Sequence, residues 1–155
     1  MLNRREWIWT AGLGAVMTVS AHRWAVAAPD PAGLPPLTVY KDAGCGCCKL
    51  WVEHMKAAGF TVTAHDVSDV SAVKRDHGVP TSVVSCHTGR VGDYVVEGHV
   101  PADLVQKMLA EKATFAGLAV PGMPMGSPGM EGPRKDAYDV LAFDKSGKTT
   151  VYARR

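Results

Sequence analysis

Three of the four cysteines in this chain fall within four consecutive positions, Cys45, Cys47 and Cys48. One disulfide uses two sulfurs, so a third thiol in the same turn of chain indicates a further use. Thiolates this close can share a metal, and soft sulfur favours Cu(I), Zn(II) or an iron–sulfur cluster. Cys45-x-x-Cys48 is also the spacing of thioredoxin-type redox pairs, with Cys47 standing where proline is usual. The motif therefore predicts soft-metal binding or thiol–disulfide chemistry, and a single Cys45–Cys48 disulfide is the simplest alternative.

The cysteine motif is predicted to open a helix. It follows a short predicted strand, residues 37–40, and precedes a helical pattern over residues 47–58 that Gly59 ends. Unpaired N–H groups at a helix N-terminus stabilise anions, which favours the thiolate form of Cys47 and Cys48. The apolar face of this helix consists of Cys48, Trp51, Val52 and Met55.

Residues 1–28 have the pattern of an export signal. Arg4-Arg5 precede an apolar run too short to span a bilayer, and Ala25-Val26-Ala27 resembles a cleavage site. The paired arginines favour the twin-arginine route, with an ordinary secretory signal as the alternative. The mature domain is therefore expected in the periplasm and outside the membrane. Disulfides persist in that compartment, so two disulfides are another use of the four cysteines.

The charge of the predicted mature domain argues against a nucleic-acid partner. Removal of residues 1–28 leaves equal numbers of basic and acidic residues. No basic run or arginine–aromatic interleaving remains. The chain also lacks a convincing Ser/His/Asp set, a pair of catalytic carboxylates or a phosphate-binding glycine loop, so no separate catalytic or organic-cofactor residues are assigned.

The chain after the signal is predicted to form one α/β domain. Its expected parts are a proline-rich leader (29–36), the main domain (37–116), a Gly/Pro/Met loop (117–133) and a C-terminal hairpin (134–155). The order of elements is strand, helix, strand, helix, hairpin, helix, hairpin. The first strand–helix–strand unit predicts a right-handed parallel crossover. This order resembles the thioredoxin fold, a mixed sheet flanked by helices, here with an extra C-terminal hairpin.

The position of the fourth cysteine depends on a hairpin register. A turn at Gly92-Asp93 makes Val91 oppose Tyr94 and leaves an unbroken second strand. Cys86 then opposes His99, and opposed residues project to the same face. By the same alternation His87 points to the opposite face. The rival turn, Thr88-Gly89, would put Cys86 at the hairpin tip.

The first register predicts one pocket of five ligands. In a thioredoxin-like fold the loop that contains His99 lies beside the redox motif. The pocket would hold Cys45, Cys47, Cys48, Cys86 and His99. This set exceeds the needs of one ion and suits several Cu(I) ions bridged by thiolates. The thioethers of Met123, Met125 and Met130 are either further soft donors or, as we favour, caps on the core.

Five separated motifs resemble the CopG family of exported bacterial copper-resistance proteins. They are Gly-Cys-Gly-Cys-Cys (44–48), Gly-Val-Pro (78–80), Ser-Cys-His-Thr (85–88), Glu-Gly-His-Val-Pro (97–101) and the Gly/Pro/Met run at 121–131. The resemblance spans residues 37–131. It implies an atypical thioredoxin fold that carries a cysteine-bridged multicopper cluster and handles Cu(I) and Cu(II) in the periplasm. It implicates the same four cysteines and His99, and other periplasmic copper-resistance proteins as partners.

The leading hypothesis is a periplasmic copper-binding protein of copper resistance that holds several copper ions and interconverts Cu(I) and Cu(II). Whether it acts as an enzyme, a copper oxidoreductase, is left open by the sequence. The alternative is a thiol–disulfide oxidoreductase that uses Cys45 and Cys48. Structural zinc is the third hypothesis.

Overall fold

A computed structural model describes residues 33–155 of the chain. The predicted export signal and the first residues of the proline-rich leader lie outside the described residues. The elements are β1 (Leu37–Lys41), α1 (Gly46–Ala57), β2 (Val62–Asp66), α2 (Val70–Asp76), β3 (Thr88–Val91), β4 (Tyr94–Glu97), α3 (Ala102–Glu111), β5 (Gly117–Ala119), β6 (Asp139–Phe143) and β7 (Thr149–Arg154). Within residues 33–155, no helix is both long and apolar enough to cross a membrane.

The strands form one mixed sheet in the order β2-β1-β3-β4-β5-β6-β7. As predicted, β1 and β2 are parallel and are connected through α1. The predicted α/β class, with a mixed sheet, flanking helices and a C-terminal hairpin, is confirmed. The C-terminal hairpin is a continuation of this sheet, because β6 pairs with β5. Residues 117–119, predicted as the start of a loop, instead form β5, a strand too short to show an alternating pattern.

Helix α1 buries the predicted apolar face. Cys48, Trp51, Val52 and Met55 are its buried residues, and Trp51 is fully enclosed. The indole Nε1 of Trp51 donates to the carbonyl oxygen of Val100 at 2.9 Å, which ties α1 to the chain entering α3. The packing therefore fixes the first turn of α1, and with it the cysteine motif.

The predicted register of the β3–β4 hairpin is also confirmed. Val91 pairs with Tyr94, and the ladder ends where Thr88 pairs with Glu97. Just beyond that end, the amide of Gly98 donates to the carbonyl oxygen of His87 at 3.0 Å. The segment before β3 and the segment after β4 therefore stay side by side beyond the sheet, where they approach the N-terminus of α1.

A buried ion pair anchors the end of this hairpin. Glu97 is fully buried, and Lys74 Nζ of α2 lies 2.6 Å from Glu97 Oε1. Thr88 Oγ1 donates to Glu97 Oε2 at 2.8 Å, and the amide of Ser85 donates to Oε1 at 2.6 Å. Both oxygens of the Glu97 carboxylate therefore have hydrogen-bond partners, and Lys74 supplies the opposite charge that a buried carboxylate requires. The segment that precedes Cys86 is thereby held to the sheet.

We expect Glu97→Gln to destabilise the protein by about 3–5 kcal/mol, because it leaves the Lys74 ammonium buried without a counter-charge. The double variant Glu97→Gln/Lys74→Met should recover most of that loss. Glu53→Gln breaks the exposed pair with Lys56 and should cost less than about 1 kcal/mol. Urea unfolding measures all three. A loss of under about 1 kcal/mol for Glu97→Gln alone would contradict the role of the buried pair.

Candidate metal centre

The site begins at the turn between β1 and α1. Asp42 Oδ1 accepts the amide of Gly44 at 2.7 Å, and the amide of Cys45 donates to the Asp42 carbonyl oxygen at 3.1 Å. Cys45 is the N-cap of α1, and Cys47 and Cys48 lie in its first turn. The sequence therefore presents three sulfurs at one helix N-terminus.

The fourth sulfur comes from the chain that enters β3. The Sγ atoms of Cys45, Cys47, Cys48 and Cys86 all lie within 4.8 Å of one another. Those of Cys45 and Cys47 are 3.6 Å apart. The structure therefore brings together all four cysteines that the sequence analysis selected.

Two of these cysteines are bonded to each other. Cys45 and Cys48 form a disulfide, whereas Cys47 and Cys86 are free thiols. This is the pairing of the single-disulfide alternative, and the Cys47 Sγ lies beside the disulfide, in the same group of sulfurs. Four thiolates are available to a metal only when the Cys45–Cys48 bond is reduced.

The predicted proximity of Cys86 and His99 is confirmed. Cys86 Sγ lies 3.0 Å from His99 Nε2, although His99 is fully buried. His99 Nδ1 lies 2.7 Å from the carbonyl oxygen of Pro128, so this nitrogen carries the proton and donates it. The Nε2 lone pair then faces Cys86. Metal-binding histidines usually have this arrangement, in which one ring nitrogen donates to a carbonyl oxygen and the other ring nitrogen faces the metal.

The expected orientation of His87 is wrong. His87 is fully buried and lies at the site, with its Nδ1 3.3 Å from Cys86 Sγ. Its ring centroid lies 4.3 Å from that of Trp51 and 5.3 Å from that of His99. Strand alternation does not extend to His87, since β3 begins only at Thr88. The signal that could have identified His87 was its adjacency to Cys86.

His87 completes a second possible ligand group. The ligand atoms of Cys86, His87 and His99 lie within 4.8 Å of one another. Among the described residues, His87 Nε2 has no hydrogen-bond partner. Burial holds the pKa of His87 well below its usual value, and His99 and Lys74 act in the same direction. The imidazole is therefore neutral at physiological pH, the form that binds metals.

The thiol of Cys86 holds its proton in the metal-free protein. Burial raises its pKa to about 12, and the neighbouring Cys47 adds to the effect. Burial also lowers the pKa of His99. The inner part of the site is therefore uncharged before a metal binds, and a metal that binds Cys86 must displace its proton.

A segment of the long loop after β5 covers the site. Met123 is half exposed, and its Sδ lies 3.9 Å from Cys47 Sγ. Gly129 adopts φ +86°, and a Cβ atom there would lie 2.6 Å from the Cys47 carbonyl oxygen and 2.9 Å from the Trp51 amide. Only glycine allows the loop to approach α1 this closely.

Fold and site together define an α/β domain with a sulfur- and imidazole-rich candidate metal centre at a helix N-terminus. A family model described as a protein of unknown function, DUF411, matches residues 83–130. Two solved structures, named copper resistance protein CopG form 1 and form 2, are each 52% identical to this chain. Each match covers 79% of this chain and 98% of the other, with a TM-score of 0.74. No curated protein matches significantly. This chain belongs to the CopG family of copper resistance proteins.

We expect Gly129→Ala to destabilise the protein by about 1–3 kcal/mol more than Gly122→Ala does. Both glycines have positive φ, but a Cβ at Gly122 would meet no atom within 4 Å. The pair therefore separates the clash with α1 from the backbone strain that both variants share. Denaturant unfolding measures the difference. Equal losses in the two variants would mean that the loop does not pack closely on the cysteine motif.

Alkylation of Cys86 in the metal-free protein should still accelerate as the pH rises past about 10, because the pH remains below the pKa of this thiol. Below a thiol's pKa, the reactive thiolate fraction grows about tenfold per pH unit. Mass spectrometry of the tryptic peptide that contains Cys86 gives the rate at each pH. A rate that levels off near about pH 8.5, the ordinary value for cysteine, would contradict burial of this thiol.

Proposed function

We propose that this protein binds several copper ions in a thiolate-bridged cluster as part of copper resistance. Cys45, Cys47, Cys48 and Cys86 would supply the sulfurs and His99 an imidazole. The observation that carries the proposal is the convergence of four Sγ atoms within 4.8 Å, with the His99 Nε2 only 3.0 Å from one of them. The relatives named copper resistance protein CopG support copper as the metal.

The number and type of donors favour several copper ions over one zinc ion. A structural zinc site is closed by four ligands. This site has four sulfurs and two imidazoles, with the Met123 thioether 3.9 Å from Cys47 Sγ. Cu(I) prefers soft donors, and thiolates bridge neighbouring ions readily. The donor set therefore supports a cluster.

The mixed donor set also supports interconversion of Cu(I) and Cu(II). Sulfur stabilises Cu(I), whereas imidazole is a good ligand for both oxidation states. We further propose that the protein is exported to the periplasm by the twin-arginine route and exchanges copper there with other resistance proteins. The arginine pair in residues 1–28 is the basis for the export route.

Native mass spectrometry of the reduced protein, loaded with Cu(I) without oxygen, tests the cluster. We expect more than one copper per chain. Cys47→Ser should lower the number bound, because Cys47 Sγ lies within 4.8 Å of the other three sulfurs. His65→Ala is the matched control, since His65 is exposed and belongs to neither ligand group. One copper or none, unchanged by Cys47→Ser, would contradict the proposal.

A thiol–disulfide oxidoreductase is the second candidate, and the Cys45–Cys48 disulfide favours it. Such a pair at a helix N-terminus can exchange with substrate disulfides. Insulin reduction separates the candidates. Robust turnover that survives Cys47→Ser and Cys86→Ser would favour this second function, because only Cys45 and Cys48 would then be required.

A further inference from the structure

We propose that the Cys45–Cys48 pair is the electron donor that reduces Cu(II) at this site, with one disulfide formed for two copper ions reduced. The inference rests on the proposed copper-binding function. It adds a source for the electrons and assigns separate tasks to the four cysteines. Cys45 and Cys48 would store electrons, while Cys47 and Cys86 would keep hold of the reduced metal.

The redox pair and the remaining sulfurs occupy one site. Cys45 and Cys48 are bonded to each other, yet their sulfurs remain within 4.8 Å of those of Cys47 and Cys86. Cys45 Sγ is 3.6 Å from Cys47 Sγ even in this oxidised form. An ion held by Cys47 would therefore be adjacent to the pair, and no long-range electron transfer would be needed.

The helix also holds this pair at a separation that permits a disulfide. Cys45 is the N-cap and Cys48 lies in the first turn, so α1 itself sets their separation. Their Cα atoms are 5.3 Å apart, inside the range that disulfides require. The pair can therefore close and open while α1 stays folded.

The oxidised form keeps donors that suit Cu(I). With the disulfide in place, Cys86 Sγ still lies 3.0 Å from His99 Nε2 and 3.3 Å from His87 Nδ1. Cys47 Sγ still lies 3.9 Å from Met123 Sδ. Two or three ligands of these kinds complete the coordination of a Cu(I) ion. Oxidation of the pair would thus leave ligands for both Cu(I) products, one group around Cys86 and one around Cys47.

The thiolates of Cys45 and Cys48 each give one electron to a Cu(II) ion, the S–S bond forms, and two Cu(I) ions result. Protons carried by the two thiols are released to solvent. A dithiol reductant would then restore the pair by thiol–disulfide exchange, in which the Cys45–Cys48 bond breaks and a disulfide forms in the reductant.

The test uses the full chain, reduced and freed of reductant without oxygen, and mixed with two equivalents of Cu(II). The Cu(II) signal in electron paramagnetic resonance should disappear as the disulfide forms. After denaturation and removal of the copper with a Cu(I) chelator, alkylation and tryptic mapping should find Cys47 and Cys86 labelled and Cys45 joined to Cys48. The peptide Asp42–Lys49 contains the three clustered cysteines and should carry a single label.

Three variants sharpen the test. Cys45→Ser and Cys48→Ser should each retain the Cu(II) signal at least several-fold longer than the wild type, because neither can form this disulfide. His65→Ala should behave like the wild type, since His65 is exposed and outside both ligand groups. Circular dichroism of each variant establishes that it is folded.

The outcomes separate this inference from the proposed function. A protein that binds Cu(I) in several equivalents but leaves the Cu(II) signal intact would overturn the inference and leave the copper-binding proposal standing. A mapped disulfide that includes Cys47 or Cys86 would also overturn it. Failure to bind Cu(I) in the reduced protein would overturn the proposed function itself.

Discussion

The site depends on the packing of one hairpin end against the first turn of α1. Cys86 is distant from Cys45 in sequence, and it reaches the cysteine motif because the chain before β3 is held in place. Glu97 provides that hold, since its buried carboxylate accepts the Ser85 amide at 2.6 Å while Lys74 balances its charge. Without this anchor, the segment that carries the fourth sulfur would be held to the sheet less firmly, beyond the bond from the Gly98 amide to the His87 carbonyl oxygen.

The site combines two kinds of chemistry that are usually separate. A Cys-x-x-Cys pair at a helix N-terminus is suited to electron transfer through disulfide exchange. Additional thiols and neutral imidazoles are suited to soft metal ions. Here the disulfide Cys45–Cys48 and the free thiols Cys47 and Cys86 share one small volume. Oxidation of the pair therefore changes how many sulfurs a metal can use.

Much of the site could be predicted from sequence because strong local patterns determine it. Helical spacing identified the buried face of α1 that includes Trp51, and a two-residue turn fixed the hairpin register. His87 was misplaced because strand alternation holds only within the ladder, and His87 lies just before β3. The approach of Gly129 to α1 could not be predicted, since it depends on the path of a long loop. The choice between disulfide and free thiols at Cys45–Cys48 was also open, because spacing permits both.

X-ray absorption spectroscopy at the copper edge, on the reduced protein loaded with Cu(I), tests most directly whether these residues share the metal. Sulfur should dominate the first coordination shell, with an imidazole contribution and a copper–copper distance. Cys86→Ser should lower the sulfur contribution and weaken the copper–copper feature, because Cys86 supplies the one sulfur of the proposed set that does not come from the cysteine motif of α1. A spectrum with only nitrogen and oxygen ligands, or one unchanged by Cys86→Ser, would contradict a shared copper centre.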